Sequence, residues 1–422
     1  MTRESLLDET RFSEAIRDPV WRHIWLTPEF RDITLSEPFL RLYRIKQLGP
    51  TEYVYPGATH SRASHSLGVY HVALRLLRVL LAKGADRWVT AEGCASFLAA
   101  ALLHDLGHFP FTHSLKELPL DDHESLTGRA ILTDRLSLLV KRAGGDPEMT
   151  ATIVDKSRAL PAGSGAETAF FRRLLSGVLD PDKLDYLNRD AYYCGVPYGI
   201  QDTDFILSRV MPDRERGITL DRRAIMSVES VLFSKYLMYR SVYWHRQVRM
   251  ATAMMKKTLF AALEGRLIES ETLYTLDDAG IYAMIDTLNM DEKSLATDIR
   301  NRSFYQVVME YPYDRDNPTI RALENLGHRS AEESRIATVL SSNLSLSILP
   351  LHILIDIPED ISFESDLFIK DENTTFSNSS TVFSSDVVAR FSSSLRMVRV
   401  AVHPSIAQRV LAIANLPEKL AK

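Results

Sequence analysis

His104 and Asp105 leave the apolar run Ala99-Ala100-Ala101-Leu102-Leu103 side by side, and His108, His113 and His123 follow closely. Burying an imidazole next to a carboxylate costs free energy unless something pairs with both. A divalent cation is the commonest partner for that mixture. An HD dipeptide alone is a weak signal, but its company strengthens it. His65 lies upstream, Asp182 sits in a second acidic cluster, and seven of the 12 histidines (60, 65, 71, 104, 108, 113 and 123) fall within residues 60–123. A lone histidine in an apolar helix is usually a hydrogen-bonded core residue, and His60 and His71 read that way. The cluster around His104 does not.

The chemistry such a set suits is metal-assisted hydrolysis at phosphorus. That reaction needs a cation with an open position to activate water and neutralise phosphoryl charge. It needs proton-transfer groups near the leaving oxygen and cationic side chains for the remaining phosphates. His65, His104 with Asp105, and Asp182 belong to three different helical stretches, so a helical bundle must bring them together. The nitrogen and oxygen donors favour Mn, Fe, Mg, Zn or Ni over thiophilic metals.

The elements that must hold these residues read as mainly α. Residues 64–82 carry apolar positions at helical spacing, and residues 90–106 form a nearly all-apolar core helix. Residues 126–142 read as one helix, and 170–189 as another with a break at Asp180-Pro181. Residues 1–60 form a lead-in with helical periodicity over 35–48 and a strand and turn at 53–57. A hairpin is expected over 210–223, then one long helix over 228–262 and shorter ones near 276–286 and 292–300. Beyond 311 the texture changes: strands at 348–357 and 396–402, helices at 317–326 and 404–415, and a Ser-rich loop near 362–394. The division this suggests is a core of residues 1–270 and an extension of 271–422 with a small C-terminal α/β subdomain.

The bulk properties narrow the class. A chain of 422 residues buries a substantial core. A net charge of −5 argues against a strong nucleic-acid surface. Cys94 and Cys194 form no CxxC pair, which fits a reducing compartment without disulfides. Met1-Thr2-Arg3-Glu4-Ser5 has no apolar signal core, and no apolar run approaches the roughly 18 residues of a membrane helix. A cytoplasmic protein that leaves the membrane alone is the expectation.

Several motifs in order carry a resemblance. Arg44-Ile45-Lys46-Gln47-Leu48-Gly49 and Val54-Tyr55-Pro56-Gly57-Ala58-Thr59-His60-Ser61-Arg62-Ala63-Ser64-His65-Ser66-Leu67-Gly68-Val69 come first. His104-Asp105-Leu106-Gly107-His108-Phe109-Pro110-Phe111-Thr112-His113 and Asp182-Lys183-Leu184-Asp185-Tyr186-Leu187-Asn188-Arg189-Asp190 follow. Together they resemble the HD-domain dNTP triphosphohydrolases over residues 17–260, and more loosely onward through Leu354-Ile355-Asp356-Ile357-Pro358. The resemblance implies an HD-domain helical bundle with His65, His104, Asp105 and Asp182 as metal ligands. It implies His108 and His123 as polar catalytic groups and His113 as a phosphate contact or proton donor. Arg62, Lys183 and Lys235 would bind phosphates. Asp190 and Gln47 would meet the sugar 3′-hydroxyl, Leu48 and Tyr186 would crowd its 2′ position, and Tyr243 would stack on the base, with Arg246 close by. Products would be deoxynucleoside and inorganic triphosphate. Such proteins assemble as dimers or tetramers, so a homo-oligomer is expected.

On residue type alone, Tyr186, Tyr239 and Tyr243 also read as core packing, Lys183 as half of an ordinary charge pair, and Arg240 and Arg249 as a solvated or subunit-facing stripe. Two departures stand out. Three residues after His113 the family carries an acid that orients the catalytic histidine, whereas this chain has Lys116, with Glu117 one step on. That step turns a helical side chain by about 100°. The guanine-reading residues of the regulated animal enzyme are replaced by Leu35, Leu40 and Tyr43, so activation through that site is not expected. Three readings follow: a dNTP triphosphohydrolase, an HD hydrolase of another nucleotide (monophosphate, cyclic or signalling), and a nucleotide sensor with weak turnover.

Overall fold

The computed structural model describes residues 8–361, 363 and 367–421, apart from the side chains of Glu9, His113 and Ala421. The N-terminal pentapeptide, part of the Ser-rich segment and the His113 side chain therefore lie outside the described residues. The fold is mainly helical. It opens with an antiparallel hairpin, β1 (Glu14–Asp18) and β2 (Arg22–Leu26). Ile24 and Leu26 alternate into the core, and Arg22 turns the chain with φ of 66°.

Three helices frame the centre: α1 (Arg62–Ala82), α2 (Ala91–Leu103) and, later, α7 (Pro181–Cys194). Each begins at a side-chain cap, Ser61, Thr90 and Asp180, which accepts a backbone N–H of the first turn. In α2 every residue from Gly93 to Leu103 is buried, so the helix is apolar all round and is enclosed by its neighbours. His104 and Asp105 stand just past its end, where the chain leaves the helix. The expected break at Asp180-Pro181 is where α7 starts, with Pro181 in its first turn.

Between α2 and α7 lie α3 (His123–Ile131), α4 (Asp134–Arg142), α5 (Pro147–Val154) and α6 (Gly165–Leu175). Residues 126–142 are thus two helices, not one. The Thr133 hydroxyl donates to the Ala130 carbonyl at 2.7 Å while the Thr133 backbone turns extended, which ends the first helix. Gly107 lets α3 approach the end of α2, because a Cβ there would fall on the His123 carbonyl and the Thr127 amide.

The expected hairpin is β3 (Val210–Asp213) with β4 (Gly217–Leu220). The stretch expected as one helix over 228–262 is α8 (Ile225–Met238) and α9 (Arg246–Glu264), separated by a π-turn at Tyr239–Tyr243. The Trp244 amide donates five residues back to Tyr239 at 2.9 Å, and His245 then caps α9. α10 (Asp278–Thr287) and α11 (Lys293–Arg300) pack on α9. The C-terminal part is a three-stranded antiparallel sheet, β5 (Gln306–Pro312), β9 (Met397–Val402) and β6 (Ile353–Asp356), in the order β5-β9-β6. It is covered by α12 (Leu326–Leu344) and α14 (Pro404–Leu411) through Ile336, Leu340, Ile355, Val400 and Val410.

Three further expectations are corrected. Residues 53–57 are a turn following a 3₁₀ stretch at Gly49–Tyr53, and Pro50 and Pro56 deny them a ladder. Strand β5 was not expected. The described part of the Ser-rich segment is not loop alone: besides the stretch before α13 it holds β7 (Phe368–Ile369), β8 (Thr374–Thr375) and α13 (Ser385–Leu395). β7 pairs in parallel with β4, so this late segment packs back onto the first half of the chain. Among the described residues no helix is long and apolar enough to cross a membrane. Substituting Gly107→Ala is expected to destabilise the fold by roughly 1–3 kcal/mol, as overpacking against backbone does, read as a lower urea midpoint.

Candidate active site

α1, α2 and α7 bring His65, His104 and Asp182 together: one ligand atom from each lies within 4.8 Å of the others. His65 Nε2 is 3.0 Å and His104 Nε2 is 3.8 Å from Asp182 Oδ1. The far nitrogens are fixed. His65 Nδ1 faces Asp185 Oδ2 at 2.8 Å, and His104 Nδ1 faces the Ala101 carbonyl at 2.9 Å. Both acceptors take an N–H on Nδ1, so in the neutral ring that binds a metal each Nε2 lone pair is the one turned toward the cluster. Without a cation, burial opposes the charged His65 ring, but Asp182 and Asp185 outweigh it and raise its pKa to about 10. His104 Nε2 is buried and has no hydrogen-bond partner. A divalent cation would satisfy it together with His65 and Asp182, so the donor set fits the metal expected from the sequence. Asp105 adjoins this trio, with Oδ1 3.3 Å from His104 Nε2 and Oδ2 held by Arg62 at 2.8 Å.

The electrostatics follow from crowding. Burial works against the Asp105 carboxylate, yet His108, His104 and Arg62 outweigh it and hold its pKa well below the ordinary range. Burial, reinforced by Arg62, pushes His108 well below the histidine range against the pull of Asp105. His108 Nε2 lies 3.1 Å from Asp105 Oδ1, and its ring stacks on His123 at 4.1 Å between centroids.

A cavity of about 470 Å³ opens over the cluster. Of the residues expected at the site, Gln47, Leu48, Arg62, His65, His104, Asp105, His108, His123, Asp182, Lys183, Tyr186, Asp190, Lys235 and Tyr243 all line it. Asp190 accepts from the Tyr243 hydroxyl at 2.6 Å and faces His60 Nε2 at 2.8 Å. His60 is therefore more than core filler, since it holds a cavity carboxylate. Gln47 presents a buried Oε1 with no partner. Lys183 Nζ is bound to Asp180 Oδ2 at 2.7 Å and the Gly177 carbonyl at 2.9 Å. Lys235 lies over the Phe363 ring at 5.1 Å.

One expected residue is elsewhere. Arg246 is not among the lining residues and pairs with Glu310 at 2.7 Å on the outside of the sheet. Arg249 lines the cavity instead, buried and bidentate on Asp356 through Nε at 3.1 Å and a terminal nitrogen at 2.6 Å. The π-turn explains the exchange, because it resets the phase of α9 relative to α8. Lys46, Lys156 and the Glu359-Asp360-Ile361 segment of the C-terminal half also line the cavity and were not anticipated. Lys46 stands in the first quoted motif beside Gln47, whereas Lys156 and the 359–361 segment lie in none and only contact across the fold reveals them.

Lys116 is an exposed residue of the cavity wall. Glu117 does not take over the missing acid's place: Lys256 and Arg329 clamp it, the latter at 2.8 Å. Leu35, Leu40 and Tyr43 are exposed.

Two outcomes are expected. His104→Ala and Asp182→Ala should strip metal from the purified chain, by elemental analysis, while leaving the circular dichroism spectrum unchanged. Burial opposes the Glu117 carboxylate, but Lys256 and Arg329 prevail and hold it below its ordinary 4.5. Its stabilisation is therefore full above that value and fades as pH falls through the lower folded one. Glu117→Gln should cost about 3 kcal/mol at pH 7, and denaturant titrations should show that cost shrinking below pH 4.5.

The HD domain family matches residues 62–161, and the HD associated region matches residues 204–391. The chain is 39% identical over 252 residues to the uncharacterized protein YwfO of Bacillus subtilis, covering 59% of this chain and 56% of that one. It is 26% identical over 316 residues to the deoxynucleoside triphosphate triphosphohydrolase SAMHD1 homolog of Dictyostelium discoideum, covering 71% and 60%. The chain thus spans less than two thirds of either relative. A hypothetical protein from Aquifex aeolicus shares the fold with a TM-score of 0.73 at 23% identity, over 94% of this chain and 99% of that one. A phosphohydrolase from Bacteroides thetaiotaomicron does so with a TM-score of 0.72 at 22%, over 92% and 100%. With its His-Asp cluster at the meeting point of three helices, the chain carries the HD domain and the HD associated region of the HD phosphohydrolases and is similar to the dNTP triphosphohydrolases among them.

Proposed function

We propose that this chain hydrolyses deoxynucleoside triphosphates to deoxynucleoside and inorganic triphosphate. The observation that carries the reading is one continuous cavity with the His65–His104–Asp182 cluster, cations, and the polar and aromatic side chains Gln47, Asp190, Tyr186 and Tyr243 on its walls. The likeness to the Dictyostelium protein of that name supports it.

His65, His104 and Asp182, with Asp105 beside them, would hold a divalent ion of Mn, Fe, Mg, Zn or Ni. That ion would supply charge neutralisation at phosphorus and an acidified water. The chain's own residues do the rest. Arg62 and Lys183 meet phosphate oxygens, already oriented by Asp105 and Asp180. Lys235 adds a third cation. His108 and His123 flank the attacked phosphorus, and His113 donates to phosphate or to the departing 5′-oxygen. Asp190 has lone pairs beyond those used by His60 and Tyr243 and accepts from the 3′-hydroxyl, with Gln47 Oε1 as a second acceptor. Leu48 and Tyr186 leave no room at the 2′ position, and Tyr243 packs on the base.

On this reading residues 1–270 form the hydrolase core, and the 271–422 extension contributes the Glu359-Asp360-Ile361 wall. The chain works in the cytoplasm as a homo-oligomer, dimer or tetramer. A second reading rests on one observation: Lys116 stands where the resemblance expects an acid, and Glu117 is engaged elsewhere. It makes the substrate another nucleotide, a monophosphate, a cyclic or a signalling one. Mass spectrometry of products from a nucleotide panel, with metal-replete protein, separates these. Deoxynucleoside plus triphosphate supports the first reading, and orthophosphate alone overturns it. Tight dNTP binding without product under Mn, Mg, Fe or Co would instead mark a sensor.

A further inference from the structure

Behind the metal cluster lies a second set of charges that the hydrolytic chemistry does not use. Asp185, Arg189 and Asp18 are buried, and with His65 they form a continuous chain. Asp185 Oδ2 faces His65 Nδ1 at 2.8 Å and also accepts from Arg189 Nε at 2.8 Å. Asp185 Oδ1 accepts from a terminal Arg189 nitrogen at 3.0 Å and from the Trp21 indole N–H at 2.5 Å. Another Arg189 nitrogen donates to Asp18 Oδ2 at 2.7 Å. Asp18 Oδ1 in turn accepts from the Val20 and Trp21 amides at 2.9 and 2.8 Å. The Trp21 ring rests on His71 at 5.5 Å between centroids.

We propose that Trp21 and Asp18, at the tip of the β1–β2 hairpin, are positioning residues for the metal ligand His65, acting through Asp185 and Arg189. A ligand imidazole is aimed by whatever holds its other nitrogen. Here that partner is a carboxylate whose two oxygens are both pinned, one of them by an indole from the N-terminal hairpin. Two features are shaped to admit the arrangement. Gly68, one turn after His65, has no Cβ, and a Cβ there would fall on Asp185 Oδ1. Arg22, directly after Trp21, adopts φ of 66°, a conformation costly for a residue with a side chain, and so turns the hairpin tip. A buried ion pair alone is a poor source of stability, whereas one that orients a ligand has a use.

The inference rests on the reading that His65 holds a cation, and the test keeps the two apart. Chelator-stripped full-length protein is titrated calorimetrically with Mn2+ and with Zn2+, alongside thermal melts without metal. The wild type should bind, and His104→Ala should not. Trp21→Phe keeps the ring on His71 but removes the N–H, and should weaken binding about three- to tenfold. Asp185→Asn should weaken it about 10- to 100-fold, the range for partners of ligating histidines. Asp18→Asn retains the turn acceptor and should resemble Trp21→Phe, which keeps the question open to measurement if either variant misfolds. Phe30→Leu, a core change in the same N-terminal region, serves as the control: its melting point should fall while its metal affinity stays that of the wild type. A Trp21→Phe or Asp18→Asn protein that melts lower yet binds both ions as tightly as the wild type overturns the proposal. Failure of the wild type to bind either ion overturns the cation reading, and this inference with it.

Discussion

Helices α1, α2 and α7 meet around charges that an apolar bundle would ordinarily exclude, and each charge is held by a partner from a different element. Asp105 at the end of α2 is neutralised by Arg62 at the start of α1. Asp185 on α7 is matched by Arg189 one turn on and faces His65 on α1. Desolvating any one of these groups alone would be costly. The bundle therefore tolerates them only in this mutual arrangement, and the arrangement sets how the three helices are placed. Small residues make the contact possible: Gly68 gives room for the Asp185–Arg189 pair, and Gly107 lets α3 bring His123 over His108.

The cavity above depends on a second charged seam. Arg249 on α9 grips Asp356 on β6, and Arg399 on β9 reaches Glu310 at 2.8 Å and Asp356 at 3.5 Å. This seam fastens the C-terminal sheet to the side of the bundle where Glu359, Asp360 and Ile361 become cavity wall. The ligand cluster thus comes from the first half of the chain alone, while both halves contribute to the cavity wall.

Much of the centre was legible because its residues are unusual for their surroundings. Histidines and aspartates inside apolar helical runs announce themselves, and the Asp180-Pro181 cap marks a helix start by local chemistry alone. What periodicity could not reveal was phase and partnership. An unbroken apolar rhythm over 228–262 hides a π-turn, which is why Arg246 was expected at the cavity and Arg249 is found there. The β1–β2 hairpin and β5 have pairing partners that are not evident from composition. Glu117 reads as a candidate acid until Lys256 and Arg329, distant in sequence, are seen to hold it.

The parallel pairing of β7 with β4 has a consequence for how the chain comes into being. Thr219 and Leu220 wait for Phe368 and Ile369, which are made some 150 residues later. At translation rates of about 5–20 residues per second, that is a delay of roughly 7–30 s. Through that interval β4 is paired on one side only, with β3, and its other edge is open. A nascent chain thus carries an unpaired strand edge that its own C-terminal half must reach before a neighbouring chain does.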